Sequence, residues 1–206
     1  MIKLNIDQGS EAWHEARTGR VTSTRFAALI MDATTVGYKN LVKDIVCEII
    51  TGKQEEGFSN KLMEEAKEME PVARAAFEQI MEVDVSEVGF IIPDEDNRFH
   101  EWIGDSPDGA FDNSCLEIKC PLARTHLDYI TANKLPSEYR AQVQAHLFVG
   151  GFEKCYFMSY VEGMKPFIIT VYPDDETHRL FELRLDMLIL EVQSKLDKYN
   201  QYDPMI

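Results

Sequence analysis

The stretch "SPDGAFDNSCLEIKCP", residues 106–121, holds a tight turn, an apolar run and three charged side chains, and its reading decides the fold. Pro107 and Gly109 around Asp108 mark the turn. "CLEIKC" (115–120) alternates and reads as a strand. Alternate residues of a strand face one side, so Glu117 and Lys119 project together while Leu116 and Ile118 face the other way. Asp108 lies in this turn, between the strand patterns at 98–104 and 115–120, where a hairpin can fold it back toward Glu117. Two converging carboxylates and the backbone carbonyl of Ile118 are hard oxygen donors of the kind Mg²⁺ or Mn²⁺ takes. A lysine beside them can steady an attacking water or neutralise charge on a phosphate. Metal-assisted hydrolysis of a phosphoryl ester needs these parts. A charged i, i+2 pair on a strand is more often a solvated face, and Ser-Pro-Asp-Gly is a common turn. The apolar flanks of this strand argue for a central position in a sheet, where an unpaired charge is expensive to bury.

Strand patterns continue on both sides. "VSEVGFII" (85–92) and "RFHEWIG" (98–104) precede it, and the three together read as an antiparallel meander. "KCYFMSYV" (154–161) and "FIITVYP" (167–173) follow around a turn at Gly163. Helical patterns surround them. "SEAWHEAR" (10–17) has Ser10 as its N-cap, and "TSTRFAALIM" (22–31) opens on hydroxyl residues. "NLVKDIVCEII" (40–50) stops at Thr51-Gly52. In "NKLMEEAKEMEPVARAAFEQIM" (60–81), Pro71 is expected to kink the helix or to start a new one. "PSEYRAQVQAHLFVG" (136–150) has Pro136 early and Gly150-Gly151 as its stop. Tyr139, Gln142 and His146 share one of its faces, opposite Val143 and Leu147, and read first as a solvent-facing stripe. From Asp174 to about Tyr199 a final helix shows an apolar face of Leu180, Leu183, Met187 and Leu190. Helix, three strands, helix, two strands, helix is an α/β (α+β) order: a central mixed β-sheet flanked by helices.

A chain of 206 residues buries a full core and fits one domain: helices over 1–52, a core over 59–173 and a terminal helix over 174–206. No apolar run approaches the roughly 18 residues of a membrane span, and "MIKLNIDQGSEAW" is too polar for a secretory signal. Cys47, Cys115, Cys120 and Cys155 show no CxxC spacing, so zinc is not expected, and they read as reduced thiols of a cytoplasmic protein. The net charge of −15 is awkward for binding nucleic acid. The charge is uneven, however. Residues 53–96 hold thirteen acids against four bases, while 1–43 hold six bases against four acids and 119–154 five against three. The latter two stretches are the ones able to line a DNA groove.

These residues resemble the PD-(D/E)XK nuclease superfamily, and more narrowly the lambda exonuclease family of phage recombination enzymes, the YqaJ-like viral recombinases. The resemblance runs in order through "WHEARTGRVTST" (13–24), "AKEMEPVARAAFE" (66–78), "SPDG" (106–109), "LEIKCP" (116–121) and "YRAQVQ" (139–144). It implies a restriction-endonuclease-like core and a double-strand DNA exonuclease. Such an enzyme digests one strand 5′→3′ from an end, releases mononucleotides and leaves a 3′ overhang for recombination. It implies Mg²⁺ in a two-metal site, with Mn²⁺ as substitute. By position, Asp108, Glu117 and the Ile118 carbonyl would hold metal and Lys119 would orient the attacking water. Glu70 would complete the acidic site through a water, and Gln142 would stand beside the ligands. Arg17 and Thr24 would bind the 5′-phosphate, with Thr24 where the family pattern has Ser. The expected partners are DNA ends, a single-strand annealing protein and two further copies in a homotrimer ring. The expected setting is a bacterial cytoplasm, the chain being encoded by a phage or prophage. A ring needs positive potential only in its bore, which reconciles the acidic exterior with DNA.

Other readings remain open on the residues alone. The same core can serve a sequence-specific endonuclease. The acidity would suit a non-catalytic DNA mimic or inhibitor, and a metal-storing module would bind metal without cleaving DNA.

Overall fold

In the computed structural model, which describes residues 1–54 and 61–204, the strand that carries Glu117 is an interior strand of a four-stranded sheet. Two expected boundaries, residue 59 and Asn60, lie outside the described residues, as do 205 and 206 at the chain's end. The elements run β1 (Ile2–Leu4), α1 (Glu11–Arg17), β2 (Val21–Thr22), a 3₁₀ turn (Ser23–Arg25), α2 (Phe26–Leu29), α3 (Val36–Thr51) and α4 (Lys61–Met81). Then come β3 (Phe90–Ile92), β4 (Ile103–Gly104), β5 (Gly109–Phe111), β6 (Ser114–Lys119) and α5 (Ala123–Ala132). A 3₁₀ turn (Ser137–Tyr139), α6 (Arg140–Gly150), β7 (Lys154–Ser159), β8 (Phe167–Val171) and α7 (Asp175–Gln201) complete the described chain.

The main sheet has the order β5-β6-β7-β8. β5 pairs antiparallel with β6, β6 parallel with β7, and β7 antiparallel with β8, so the sheet is mixed as expected. The meander is not. "VSEVGFII" yields β3, which pairs antiparallel with β1, and "RFHEWIG" yields β4, which pairs parallel with β2. Among the described residues, the two segments pair only through a single antiparallel bridge, Ile91 to Asp105. The strand beside β6 is β5, inside a stretch that reads as turn. Its "GAF" is too short to show a period, and it forms because the Asp112–Asn113 turn folds it onto β6.

Two helical layers enclose the sheet. On one face, Leu116, Ile118, Tyr156 and Met158 pack against Ala73 and Phe77 of α4. Each such large apolar side chain contributes about 1.5–3 kcal/mol by leaving water. No new helix starts at Pro71, since α4 runs on through it. Pro71 lies on the exposed side, where solvent serves the carbonyl its missing N–H abandons, while Ala73 and Phe77 anchor the buried side.

The other face is covered by α6. Val143 and Leu147 pack toward Cys115, Cys155 and Phe157 of the sheet, while Ala141, Ala145 and Val149 pack outward against α2, α3 and α7. α6 is therefore buried on nearly every side. Over α7 the packing departs from expectation. Phe181, Leu185, Leu188 and Val192 are buried, whereas Leu183 and Leu190 are 57% and 68% exposed. The segment 22–31 is also less regular than expected, since Thr22 pairs with Gly104 and only Phe26–Leu29 is α-helical. α5 was not signalled by the sequence reading. Among the described residues, no helix is long and apolar enough to cross a membrane.

Candidate active site

Register brings the two acids of the opening stretch together. Gly109 pairs with Leu116, so Asp108, one residue before β5, comes opposite Glu117. Only glycine fits at 109, because a Cβ there would lie 2.3 Å from Val85 Cγ1. Asp108 Oδ2 accepts a 2.6 Å hydrogen bond from the Ile118 amide. That bond continues the β5-facing edge of β6 past the last strand pair, and the Ile118 carbonyl lies on the same edge.

Glu117 is buried and meets three donors. Lys119 Nζ forms an ion pair with Oε1, Gln142 Nε2 donates to Oε1 at 2.6 Å, and His146 Nε2 lies 2.7 Å from Oε2. Burial alone would push the Glu117 carboxyl up, but Lys119 and His146 outweigh it and hold the pKa down to about 2. Lys119 is desolvated too, yet Glu117 and Asp108 raise its pKa above the usual lysine range, so it stays an ammonium. Its Nζ lies 5.3 Å from the centre of the Tyr139 ring. Asp108 has the opposite balance: burial first, then the Glu117 charge, push its pKa well above the ordinary carboxylate range. Glu70, on α4, is raised chiefly by burial and by Glu117, with Arg74 opposing. Arg74 donates to Glu70 Oε1 at 2.8 Å and to the Asp108 carbonyl at 3.0 Å, and pairs with Glu87.

The sequence reading of the α6 stripe fails for His146, which is fully buried. Its Nδ1 lies 2.8 and 2.9 Å from the two carboxylate oxygens of Asp105, also fully buried. With a carboxylate at each ring nitrogen, both must donate, and the ring is an imidazolium. Burial opposes that charge, but Asp105 and Glu117 raise the pKa well above the ordinary histidine value. Tyr139 also faces inward, over Lys119. One signal for His146 was present: it lies at i+4 from Gln142, so a helix that aims one at Glu117 aims the other.

Among the described residues, no three His, Cys, Asp or Glu side chains form a ready-made metal cage. Mg²⁺ does not require one, since it keeps several waters and takes one or two carboxylates. The Asp108 and Glu117 carboxylates with the Ile118 carbonyl are a donor set of that kind, and the residues fit the ion.

Arg17 and Thr24 lie around β2, whose Thr22 pairs with Gly104 beside Asp105. The Arg17 guanidinium stacks 4.0 Å over Trp13 and donates to Thr22 Oγ1 at 3.4 Å, which in turn lies 3.5 Å from Thr24 Oγ1. Among the described residues, the buried Arg17 Nε has no hydrogen-bond partner. Burial and the nearby Arg25 lower the Arg17 pKa to about 10, which leaves it cationic at neutral pH. Thr24 sits within the 3₁₀ turn that opens after the extended Thr22, rather than at the start of a long helix. Trp13 Nε1 reaches Ser106 Oγ at 3.0 Å, which ties this pocket to the Asp108 turn. His126, whose role the sequence left open, bridges Ser159 Oγ (2.7 Å) and the Lys165 carbonyl (3.0 Å) and has a structural task.

A mixed sheet between helices, with Glu117 and Lys119 at the end of an interior strand and Asp108 opposite them just before the edge strand, defines a PD-(D/E)XK-type nuclease. Residues 12–153 match the YqaJ-like viral recombinase domain, and the chain belongs to that family. It is similar to the alkaline exonuclease LHK-Exo from Laribacter hongkongensis, with 30% identity and a TM-score of 0.82 over 93% of this chain and 97% of that one. LHK-Exo in complex with dAMP gives 29% identity and a TM-score of 0.84 over the same shares. A phage-related exonuclease from Haemophilus somnus 129PT shares the fold at 13% identity, with a TM-score of 0.67 over 87% of this chain and 96% of that one. No curated protein matches the chain.

Proposed function

We propose that the chain is an Mg²⁺-dependent exonuclease that digests one strand of duplex DNA 5′→3′ from an end. It would release mononucleotides and leave a 3′ overhang for phage-type recombination. The observation that carries this reading is the meeting of Asp108, Glu117, Lys119 and Gln142 at the end of β6. Asp108, Glu117 and the Ile118 carbonyl would hold the metal, with Glu70 reaching it through water. Bound there, Mg²⁺, in two sites or with Mn²⁺ in its place, supplies Lewis acidity at the scissile phosphate. Lys119, kept cationic by two carboxylates, donates rather than accepts. It orients the attacking water and offsets charge on the phosphate. Gln142 keeps Glu117 Oε1 turned toward Lys119.

Arg17 and Thr24 would receive the 5′-phosphate. The unpartnered Arg17 Nε, the adjacent threonine hydroxyls and the guanidinium fork support this, because all are donors suited to an anion. The dAMP held by LHK-Exo, a mononucleotide, is in keeping with release of single nucleotides. The exposed apolar row Leu180, Leu183, Met187 and Leu190 on α7 supports self-association, for which a homotrimer is the proposed form. A single-strand annealing protein that takes up the overhang, and phage-encoded action in a bacterial cytoplasm, complete the proposal.

Linear duplex DNA labelled on one strand, with and without a 5′-phosphate, is incubated in Mg²⁺ beside closed circular DNA. Mononucleotides from the phosphorylated 5′ end with the circle intact are expected. Cutting of the circle would instead establish an endonuclease, and no cleavage under any divalent cation would favour an acidic binding protein.

A further inference from the structure

We propose that His146, itself fixed by Asp105, is a positioning residue that sets the orientation of the Glu117 carboxylate. The inference rests on the reading of Glu117 as a metal ligand. The partners of Glu117 are divided between its two oxygens. Lys119 and Gln142 share Oε1, and His146 alone takes Oε2 at 2.7 Å. The two sides differ in freedom. The Lys119 side chain is 26% exposed and ends a flexible stem, whereas His146 is wholly buried in the layer between the sheet and the outer helices. Its ring is held at both nitrogens, with Asp105 at 2.8 and 2.9 Å on the far side, and cannot turn without breaking one of these contacts.

Asp105 is in turn fixed through its backbone. Its amide donates to the Ile91 carbonyl at 2.9 Å, and its carbonyl accepts from the Ile91 amide at 2.7 Å. A rigid line therefore runs from the β3–β4 frame through Asp105 and His146 to Glu117 Oε2. Pinning Oε2 fixes the plane of the carboxylate and leaves Oε1, on the side of Lys119 and Gln142, as the oxygen free to exchange partners. Outer partners of this kind orient the groups that hold a metal and commonly change affinity or activity by about 10–100-fold when removed.

Three variants test the role: His146→Leu, of similar volume; His146→Gln, which keeps an amide donor; and Asp105→Asn, which keeps shape and an acceptor. Each is measured for Mn²⁺ binding to the protein alone by calorimetry, for kcat and KM on DNA ends, and for Tm. Folded His146→Leu is expected to bind Mn²⁺ about tenfold more weakly or worse and to lose kcat, with KM for DNA ends unchanged. His146→Gln should recover part of both losses. A folded His146→Leu with wild-type Mn²⁺ affinity and kcat, and only a lower Tm, overturns the proposal. If His146→Leu does not fold, Asp105→Asn decides: a several-fold weaker Mn²⁺ affinity supports the line of positioning, and wild-type affinity ends it. Failure of the wild type to digest DNA would remove the exonuclease reading, while the calorimetric comparison would still decide this one.

Discussion

Arg74 Nε donates to the main-chain carbonyl of Asp108 at 3.0 Å, so the helix that carries Glu70 also holds the turn that carries the neighbouring acid. The same guanidinium reaches Glu70 Oε1 at 2.8 Å. Arg74→Ala should lower kcat about tenfold or more with the fold retained, because two acids lose a shared brace. Arg74→Lys should recover little, since a single ammonium nitrogen does not span the positions that Nε, Nη1 and Nη2 of the guanidinium reach separately. Unchanged turnover in Arg74→Ala, with circular dichroism showing the native fold, would mean that the Asp108 turn supports itself.

Asp108 is buried with its pKa well above the ordinary carboxylate range, and this has a stability consequence. A carboxyl whose folded pKa is raised favours folding at low pH and loses that contribution as pH climbs out of the ordinary range, about 3.9 for Asp. In metal-free protein, Asp108→Asn should therefore raise Tm at neutral pH while abolishing cleavage, and the gain should shrink as pH falls toward 4. Glu117 runs the other way: held at about 2, it stabilises above the ordinary glutamate range and loses that contribution as pH falls toward 2. Thermal melts across pH on the wild type and Asp108→Asn check both signs.

Arg17→Gln should erase the preference for 5′-phosphorylated ends and leave the fold intact. The guanidinium packs on Trp13 and meets Thr22, and the amide keeps some of that contact but no charge. The check is the ratio of initial rates on phosphorylated and hydroxyl ends. An unchanged ratio would place the phosphate elsewhere.

Phe77 is fully buried, with its ring centroid 5.7 Å from that of Phe111 and 5.5 Å from that of Tyr156. Phe77→Ala should cost about 3–5 kcal/mol in denaturant unfolding. Because Phe77 seats α4 on the sheet and α4 carries Glu70 and Arg74, kcat should fall at temperatures where the variant is still folded.

The acid pair was legible because a Pro-Asp-Gly turn and an alternating strand are local signals, and the two strands around Gly163 were equally local. What escaped depends on contacts distant in sequence. A histidine in a polar stripe reads as solvated until a second layer closes over it, and only the packing of α6 between sheet and α7 shows that His146 has none of that solvent. On α7 two apolar stripes coexist, Phe181-Leu185-Leu188-Val192 and Leu180-Leu183-Met187-Leu190. Hydropathy cannot choose between them, and the partner helices choose the first. β4 pairs with β2, some eighty residues earlier, a partnership that no local pattern in "RFHEWIG" encodes.

The hairpin between β5 and β6 turns on only two residues, Asp112 and Asn113, with Asp112 in the left-handed region at φ 48°. Each residue between Asp108 and Glu117 thus counts as a tooth in a gear. Adding or deleting one on either strand would slip the register and send a carboxylate to the wrong face of the sheet. The surface loops can lengthen or shorten with little effect on chemistry, but this span, which also requires glycine at 109, tolerates no change of length.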